Sequence, residues 1–171
     1  MSDGKYTVAI MMGSGSDLEV MMEAAKVLKQ FGVAYDVEVT SAHRSPGRTR
    51  DYVKQAEGHG VRVFIVGAGA AAHLAGVVAA ESTLPVIGVP LSGSALNGID
   101  ALYSTVMMPG GIPVATMAIG KAGATNAGIF AVEILATSDA GLAEKLREYK
   151  ATLARKVEEA SAEAKKKVFG G

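Results

Sequence analysis

The chain has 171 residues, 49% of them apolar, with 17 basic and 17 acidic side chains and no cysteine. That is one domain's worth of chain, short of the roughly 250–300 residues at which single cores split. A zero formal charge offers no electrostatic lure to nucleic acid or an anionic membrane. The absence of cysteine excludes a disulfide scaffold, a thiolate zinc site and a cysteine nucleophile.

The elements alternate along the chain. Tyr6 to Met12 is a short apolar run, read as a buried strand. Gly13-Ser14-Gly15-Ser16 follows, and then Leu18, Met21, Met22, Ala25 and Leu28 recur at helical spacing, with Ser16 and Glu19 placed as a capping box and Gly32 as the stop. Tyr35 to Thr40 is a second strand. After Ser41-Ala42-His43-Arg44, Ser45 and Pro46 read as an N-cap with proline at the first helical position, and the helix runs to about Gly58–Gly60. Val61 to Val66 is a third strand, broken by Gly67-Ala68-Gly69 and followed by an alanine-rich helix. Pro85 to Val89 is a fourth strand, Asn97 to about Val106 a helix, and Pro113 to Ala118 a fifth strand. Two helices end the chain, from about Thr125 to Ala136 and from about Ala140 to Lys167.

The whole chain reads as a single domain, 1–171, with residues 139–168 its charged C-terminal helix. Strand–helix alternation in so short a domain predicts an α/β fold with a parallel sheet covered on both faces, and five strands fit the flavodoxin-like order 2-1-3-4-5. Such sheets bind ligands beyond the carboxyl ends of the strands, where the order reverses. The loops after strands one, two and three all open there.

Alanine and glycine together supply 50 residues, and aromatics only nine. Such a chain packs backbone close to backbone. Between Val63 and Gly120 only Glu81 and Asp100 carry charge, whereas fourteen of the thirty residues from Asp139 to Val168 are charged. The uncharged run from Ala101 to Gly120 is long enough for a membrane span, but Pro109, Pro113 and Gly110-Gly111 rule out one continuous helix. A segment with so little solvent-facing character is expected to be covered by neighbouring subunits, so the chain is read as a homo-oligomer. The first residues, Met-Ser-Asp-Gly-Lys-Tyr, show no apolar signal core, which makes the cytoplasm the expected location. The last helix carries Leu142, Leu146, Tyr149, Leu153 and Val157 at 4-3-4-4 spacing, a packing stripe.

Three loops carry chemistry. Gly13-Ser14-Gly15-Ser16-Asp17 opens a helix, so its free N–H groups, the helix dipole and two hydroxyls suit an anion; Asp17 suits ribose hydroxyls. The G-K-[ST] ending of a P-loop is missing. In Ser41-Ala42-His43-Arg44-Ser45-Pro46, Arg44 offers a planar fork for phosphate or carboxylate, and His43 is the chain's best acid–base candidate, since imidazole titrates near neutrality. Arg48 and Arg50 sit within the next helix and read as solvated. Gly67-Ala68-Gly69-Ala70-Ala71-Ala72-His73 fits the weak dinucleotide pattern G-x-G-x-x-A, but no acidic residue closes the next strand. A floor of small residues under a flat ring is the simpler reading. His73 either meets a ligand or caps the helix beside it, and His59, at a helix end, reads as surface. No His–carboxylate spacing suits a metal.

These loops resemble the PurE family: GSGSD, SAHRSP, GAGAAAHLAG and MPGGIPVATMAIGKAG with the following N-A-G-I match it in order, from about Val8 to Thr137. The resemblance implies a 5-(carboxyamino)imidazole ribonucleotide mutase of purine synthesis, a three-layer α/β/α sandwich, an octamer and no cofactor. By position it implies that Ser14, Asp17 and Arg44 bind the phosphate and ribose. Ser16 joins that set, and Ser41, Ala42, Gly69, Ala70 and His73 line the imidazole and carboxylate pocket. His43 is implied as the catalytic acid–base. The chain departs from the usual pattern at Ser45, Ala70, Ala75 and Gly110. Ala70 matters most, because an added methyl narrows the floor, and a positive φ there costs about 1 kcal/mol.

Three other readings compete. The nearest is direct carboxylation of aminoimidazole ribonucleotide by free CO2. A dinucleotide-dependent oxidoreductase has only the Gly67–Ala72 match behind it. A receiver or flavin module lacks, respectively, an acceptor Asp where Gly67 stands and aromatic residues in the loops.

Overall fold

A computed structural model describes residues 5–170. The chain divides into two compact units, 1–134 and 135–171. The first holds a five-stranded sheet of β1 (Val8–Met12), β2 (Tyr35–Val39), β3 (Val63–Gly69), β4 (Val86–Leu91) and β5 (Ala115–Thr116). All pairings are parallel and the order is β2-β1-β3-β4-β5, as strand–helix alternation predicted. The crossovers are α1 (Leu18–Phe31), α2 (Pro46–Gly58), α3 (Leu74–Glu81) and α4 (Ile99–Val106); α5 (Lys121–Ala136) follows β5 and carries the division between units in its last turn. The second unit is mostly α6 (Ala140–Phe169), begun by the Asp139 side chain accepting from the Leu142 N–H.

Both faces of the sheet are covered, which is why its central strands read as unbroken apolar runs rather than alternating ones. Ala9, Met11, Phe64 and Val66 share one core with Tyr52, Val53 and Ala56 of α2, Leu74, Ala75 and Val78 of α3, and Ala101 of α4. The opposite face takes α1 and α5. There, a Cβ at Gly67 would overlap the Met21 sulfur, and one at Gly128 would lie 2.8 Å from the Val27 Cβ. Glycine at these two positions lets α1 approach β3 and α5 approach α1.

Several boundaries differ from the sequence reading. β3 does not break at Gly67. Gly67, Ala68 and Gly69 pair with Val89, Pro90 and Leu91, so ladder bonding to β4 carries the small residues on as strand. β5 shrinks to two residues at the sheet edge; Pro113, the start expected from the sequence, has no N–H to donate and lies outside it. Its path still follows β4, through Met117 N–H to the Gly88 carbonyl and Gly120 N–H to that of Pro90. α5 starts four residues early at Lys121, after Gly120 turns with φ 77°, and it runs through Gly123, which the sequence reading placed outside it.

The expected capping box of Ser16 and Glu19 does not form. A 3-10 turn, Gly15–Asp17, precedes α1 and is capped by Ser14, whose hydroxyl accepts from the Ser16 N–H. Asp17 becomes the N-cap of α1 without a side-chain bond. Glu19 instead pairs with Lys121 at 2.6 Å. Pro46 does open α2, but Ser45 makes no cap bond. Its hydroxyl turns back to accept from the Ser41 N–H and donate to the Ser41 carbonyl.

In α6, the expected packing stripe is covered only at its start. Leu146 is buried and Leu142 and Tyr149 are half-buried, while Leu153 and Val157 are exposed. No helix among the described residues is long and apolar enough to cross a membrane.

Candidate active site

At the carboxyl edge of the sheet, where the order reverses between β1 and β3, the loops after β1, β2 and β3 enclose a cleft of about 370 Å³. All ten residues singled out from the sequence line it: Ser14, Ser16 and Asp17 from the first loop, Ser41, Ala42, His43 and Arg44 from the second, and Gly69, Ala70 and His73 from the third. Gly13, Ala68, Ala71, Leu74 and Gly93 line it too. Gly93 follows β4, so a fourth loop contributes to the cleft. Its signal in the sequence was its place just past a strand, at the edge where the other loops gather.

The first loop is arranged to donate. The Ser16 hydroxyl donates to that of Ser14 at 2.9 Å, and the Ser16 N–H reaches the same oxygen at 3.3 Å. The Ser14 oxygen therefore accepts twice, and its own proton is left for a ligand. Asp17 stands half-buried beside them. Burial raises its carboxyl above the ordinary value, against a hydrogen bond from the Ser14 backbone that lowers it.

Arg44 ties the second loop to the first. Its Nη2 donates to the Gly13 carbonyl at 3.1 Å and its Nε reaches the Ser41 hydroxyl at 3.5 Å. The Ser41 hydroxyl also accepts from the Arg44 N–H at 3.2 Å. A guanidinium has five N–H donors, so most of the fork stays free while its plane is held. A fixed, half-committed guanidinium beside a free serine hydroxyl and a helix N-terminus is a geometry for a phosphate-sized anion.

His43 and His73 meet across the cleft. Nε2 of His43 lies 2.6 Å from Nδ1 of His73, with ring centroids 4.8 Å apart and planes at 76°. One nitrogen must donate and the other accept, so the pair in this arrangement holds at most one proton beyond the neutral state. His73 occupies the cap position of α3 but makes no side-chain cap bond; of the two roles left open for it, the geometry supplies a contact to the acid–base candidate instead. Both rings are exposed to the cleft.

The floor between them is strained. Ala70 has φ 52°, and the only other non-glycine residue with positive φ among those described is Asn97. Asparagine tolerates that conformation; alanine carries a Cβ penalty in it. The 69–73 segment turns tightly, with Ala72 N–H on the Ala70 carbonyl and His73 N–H on that of Ala71. That turn swings His73 back toward His43.

Arg48, Arg50 and His59, which read from the sequence as solvated or surface residues, lie outside the cleft. Arg48 and Arg50 are exposed and pair with Glu38 and Glu81. His59 is exposed, bonded to the Gln55 carbonyl and stacked on Tyr6. Among the described residues no group of three His, Asp or Glu side chains could hold a metal ion.

The chain is similar to known proteins over most of its length. Residues 7–156 match the family described as AIR carboxylase. The chain is 52% identical over 159 residues to an N5-carboxyaminoimidazole ribonucleotide mutase of Pyrococcus horikoshii, covering 93% of this chain and 89% of that protein. It is 51% identical over 154 residues to the Bacillus subtilis protein of the same name, covering 90% and 95%. The crystal structure of Treponema denticola PurE superposes with a TM-score of 0.84 at 28% identity, over 92% of this chain and 97% of that one. With its cleft built by the same loops that carry the sequence resemblance, the chain belongs to the AIR carboxylase (PurE) family.

Proposed function

We propose that the chain is an N5-carboxyaminoimidazole ribonucleotide mutase of de novo purine synthesis. It moves a carboxyl group from the exocyclic nitrogen of its substrate to the neighbouring ring carbon, giving 4-carboxy-5-aminoimidazole ribonucleotide. The observation that carries the reading is the convergence of Ser14, Arg44, His43 and His73 on one cleft, in a chain half-identical to proteins bearing that name.

The steps follow from the residues. The phosphate sits with Ser14, Arg44 and the α1 N-terminus, and Asp17 accepts from the ribose hydroxyls. His43, as imidazolium, protonates the carbamate nitrogen, and the C–N bond breaks to release CO2. The ring carbon attacks the trapped CO2 and a C–C bond forms. Neutral His43 then takes the proton from that carbon and returns to its starting state. His73, hydrogen-bonded to His43, supports the imidazole through both proton transfers. The small-residue floor of Gly69, Ala70 and Ala71 keeps the released CO2 close, so that recapture is nearly unimolecular.

The same reading makes the protein a cytoplasmic homo-oligomer, an octamer as the resemblance implies. Support for self-association lies on α4 and its flanks. Leu96, Ile99, Tyr103, Val106 and Met107 follow one another at steps of 3, 4, 3 and 1 residues and are all exposed, Met107 to 75%. An apolar stripe of that extent is a face for another subunit.

Purified protein supplied separately with the carboxyamino substrate and with aminoimidazole ribonucleotide plus CO2 tests the reading. Rapid conversion of the first, without uptake of labelled bicarbonate, is the expected result. Conversion of the second alone, or free entry of label during the first, assigns the direct carboxylase instead.

A further inference from the structure

Three polar side chains are fully buried among the described residues: Thr40, Thr49 and Thr105. The Thr105 hydroxyl bonds back to the Ala101 carbonyl in its own helix, an ordinary arrangement. The other two face each other across two elements. Thr40 ends the β2 path, its N–H on the Met12 carbonyl, and Thr49 lies in the first turns of α2. Their hydroxyls are 2.8 Å apart, between the strand and the helix that flank the turn carrying His43 and Arg44.

The protons of this cluster can be counted. The Thr49 hydroxyl reaches the Ser45 carbonyl at 3.3 Å, so Thr49 donates there and Thr40 donates to Thr49. The Ser45 hydroxyl accepts from the Ser41 N–H at 3.0 Å and donates to the Ser41 carbonyl at 3.2 Å. It also stands 3.4 Å from the Thr40 hydroxyl. Each hydroxyl hydrogen is used once. The turn from Ser41 to Ser45 is thereby latched at both ends, to the end of β2 and to the start of α2, and the two residues that meet ligand lie between the latches.

A pair of valines would fill the same volume with no polar group to satisfy. A buried hydroxyl pair adds little net stability over such an apolar pair, and what it adds is direction. We infer that Thr40 and Thr49 are positioning residues for the reaction: their hydroxyl pair, coupled through Ser45, sets where the turn holds His43 and Arg44. The inference rests on the mutase reading for its chemistry and on the geometry of the cluster for its placement.

The test compares Thr40→Val/Thr49→Val, Thr49→Val, Thr49→Ser and the wild type by urea unfolding, by kcat and KM, and by crystal structure. The double variant is expected to keep a urea midpoint near wild type, because both hydroxyls leave together. Its kcat is expected to fall between about tenfold and a hundredfold, the cost of a misplacement on the order of 1 Å. In its crystal structure the His43–His73 contact opens beyond hydrogen-bond reach. Thr49→Ser keeps the hydroxyl and restores both kcat and the contact, while Thr49→Val strands the Thr40 hydroxyl and loses stability as well. Thr40→Val removes the donor to Thr49 while leaving the Thr49 bond to the Ser45 carbonyl, and supplies the same comparison should the double variant not fold. Wild-type kcat and an unmoved His43 in the folded double variant overturn the inference, as do kcat losses that merely track the urea midpoint across the series. The His43–His73 separation reads the turn whether or not the protein turns over the ribonucleotide. Failure of the mutase reading is therefore distinguishable from failure of this one.

Discussion

Ala70→Gly should make this protein more stable, although it removes a side chain. Ala70 sits at φ 52°, where the left-handed conformation costs an L-residue with a Cβ about 1–2 kcal/mol. Glycine escapes that cost but loses more chain entropy on folding, an offset of about 0.4–1 kcal/mol. Ala70 is exposed to the cleft, so losing its methyl forfeits almost no buried apolar area. The net gain is about 0.5–1 kcal/mol, or roughly 1–4 °C in Tm for a chain of this length. Urea unfolding at fixed protein concentration measures it, the concentration being held because self-association raises apparent stability. The expected signature is a higher midpoint at unchanged slope. Ala70→Val should move the other way, since a β-branched residue is worse still at positive φ. A glycine variant no more stable than wild type, beside a valine variant no less stable, would refute the strain assignment. Strain of this kind persists at a functional site when the surrounding structure enforces it. The methyl narrows the floor of the cleft.

Three further outcomes follow from the cleft. His43→Asn should abolish turnover while nucleotide affinity falls by less than about tenfold, or 1.4 kcal/mol; substantial residual turnover in steady-state assays contradicts the acid–base role. Arg44→Ala should weaken phosphorylated ligands selectively, and equal losses for a nucleotide and its nucleoside in calorimetry remove the phosphate assignment. Asp17 is held above its ordinary value of 3.8, with burial the largest cause, so its ionised form is disfavoured in the folded state relative to the unfolded one. Its contribution favours folding below the unfolded value and is lost as pH rises through the folded value. Asp17→Asn is therefore expected to be the more stable protein at neutral pH, with the difference shrinking as pH is lowered toward about 4. Urea midpoints across that range check it, and a difference that grows on acidification reverses the sign of the argument.

The sheet order was legible because strand–helix alternation leaves few ways to build a parallel sheet, and five short apolar runs fit one of them. Several element ends were not legible. Gly67-Ala68-Gly69 has the composition of a break, yet it continues as strand because β4 runs alongside and Met21 fills the space where a Cβ would stand. Gly123 marks a poor helix interior, yet α5 passes through it. The capping box at Ser16 and Glu19 was sound local chemistry defeated by a competing turn, since the 3-10 turn Gly15–Asp17 makes Asp17 the N-cap of α1. A tertiary neighbour decided the first of these, and a competing local turn the last.

The cleft was more legible than the elements that build it. Loops after parallel strands must open on one edge, so residues 14–17, 41–44 and 69–73 were bound to meet once the order was right. What residue types and spacing could not supply was the contact between His43 and His73, which depends on a turn forced through positive φ at an alanine. Nor could they supply the threonine pair. In the sequence Thr40 reads as the last residue of a strand and Thr49 as one more helical position, two unremarkable hydroxyls nine residues apart. Only with β2 and α2 packed do they become each other's hydrogen-bond partners. Polar groups that meet a ligand are concentrated where topology gathers loops, and topology can be read from pattern. Polar groups that hold those loops in place are buried one layer below, where pattern registers them as ordinary strand and helix.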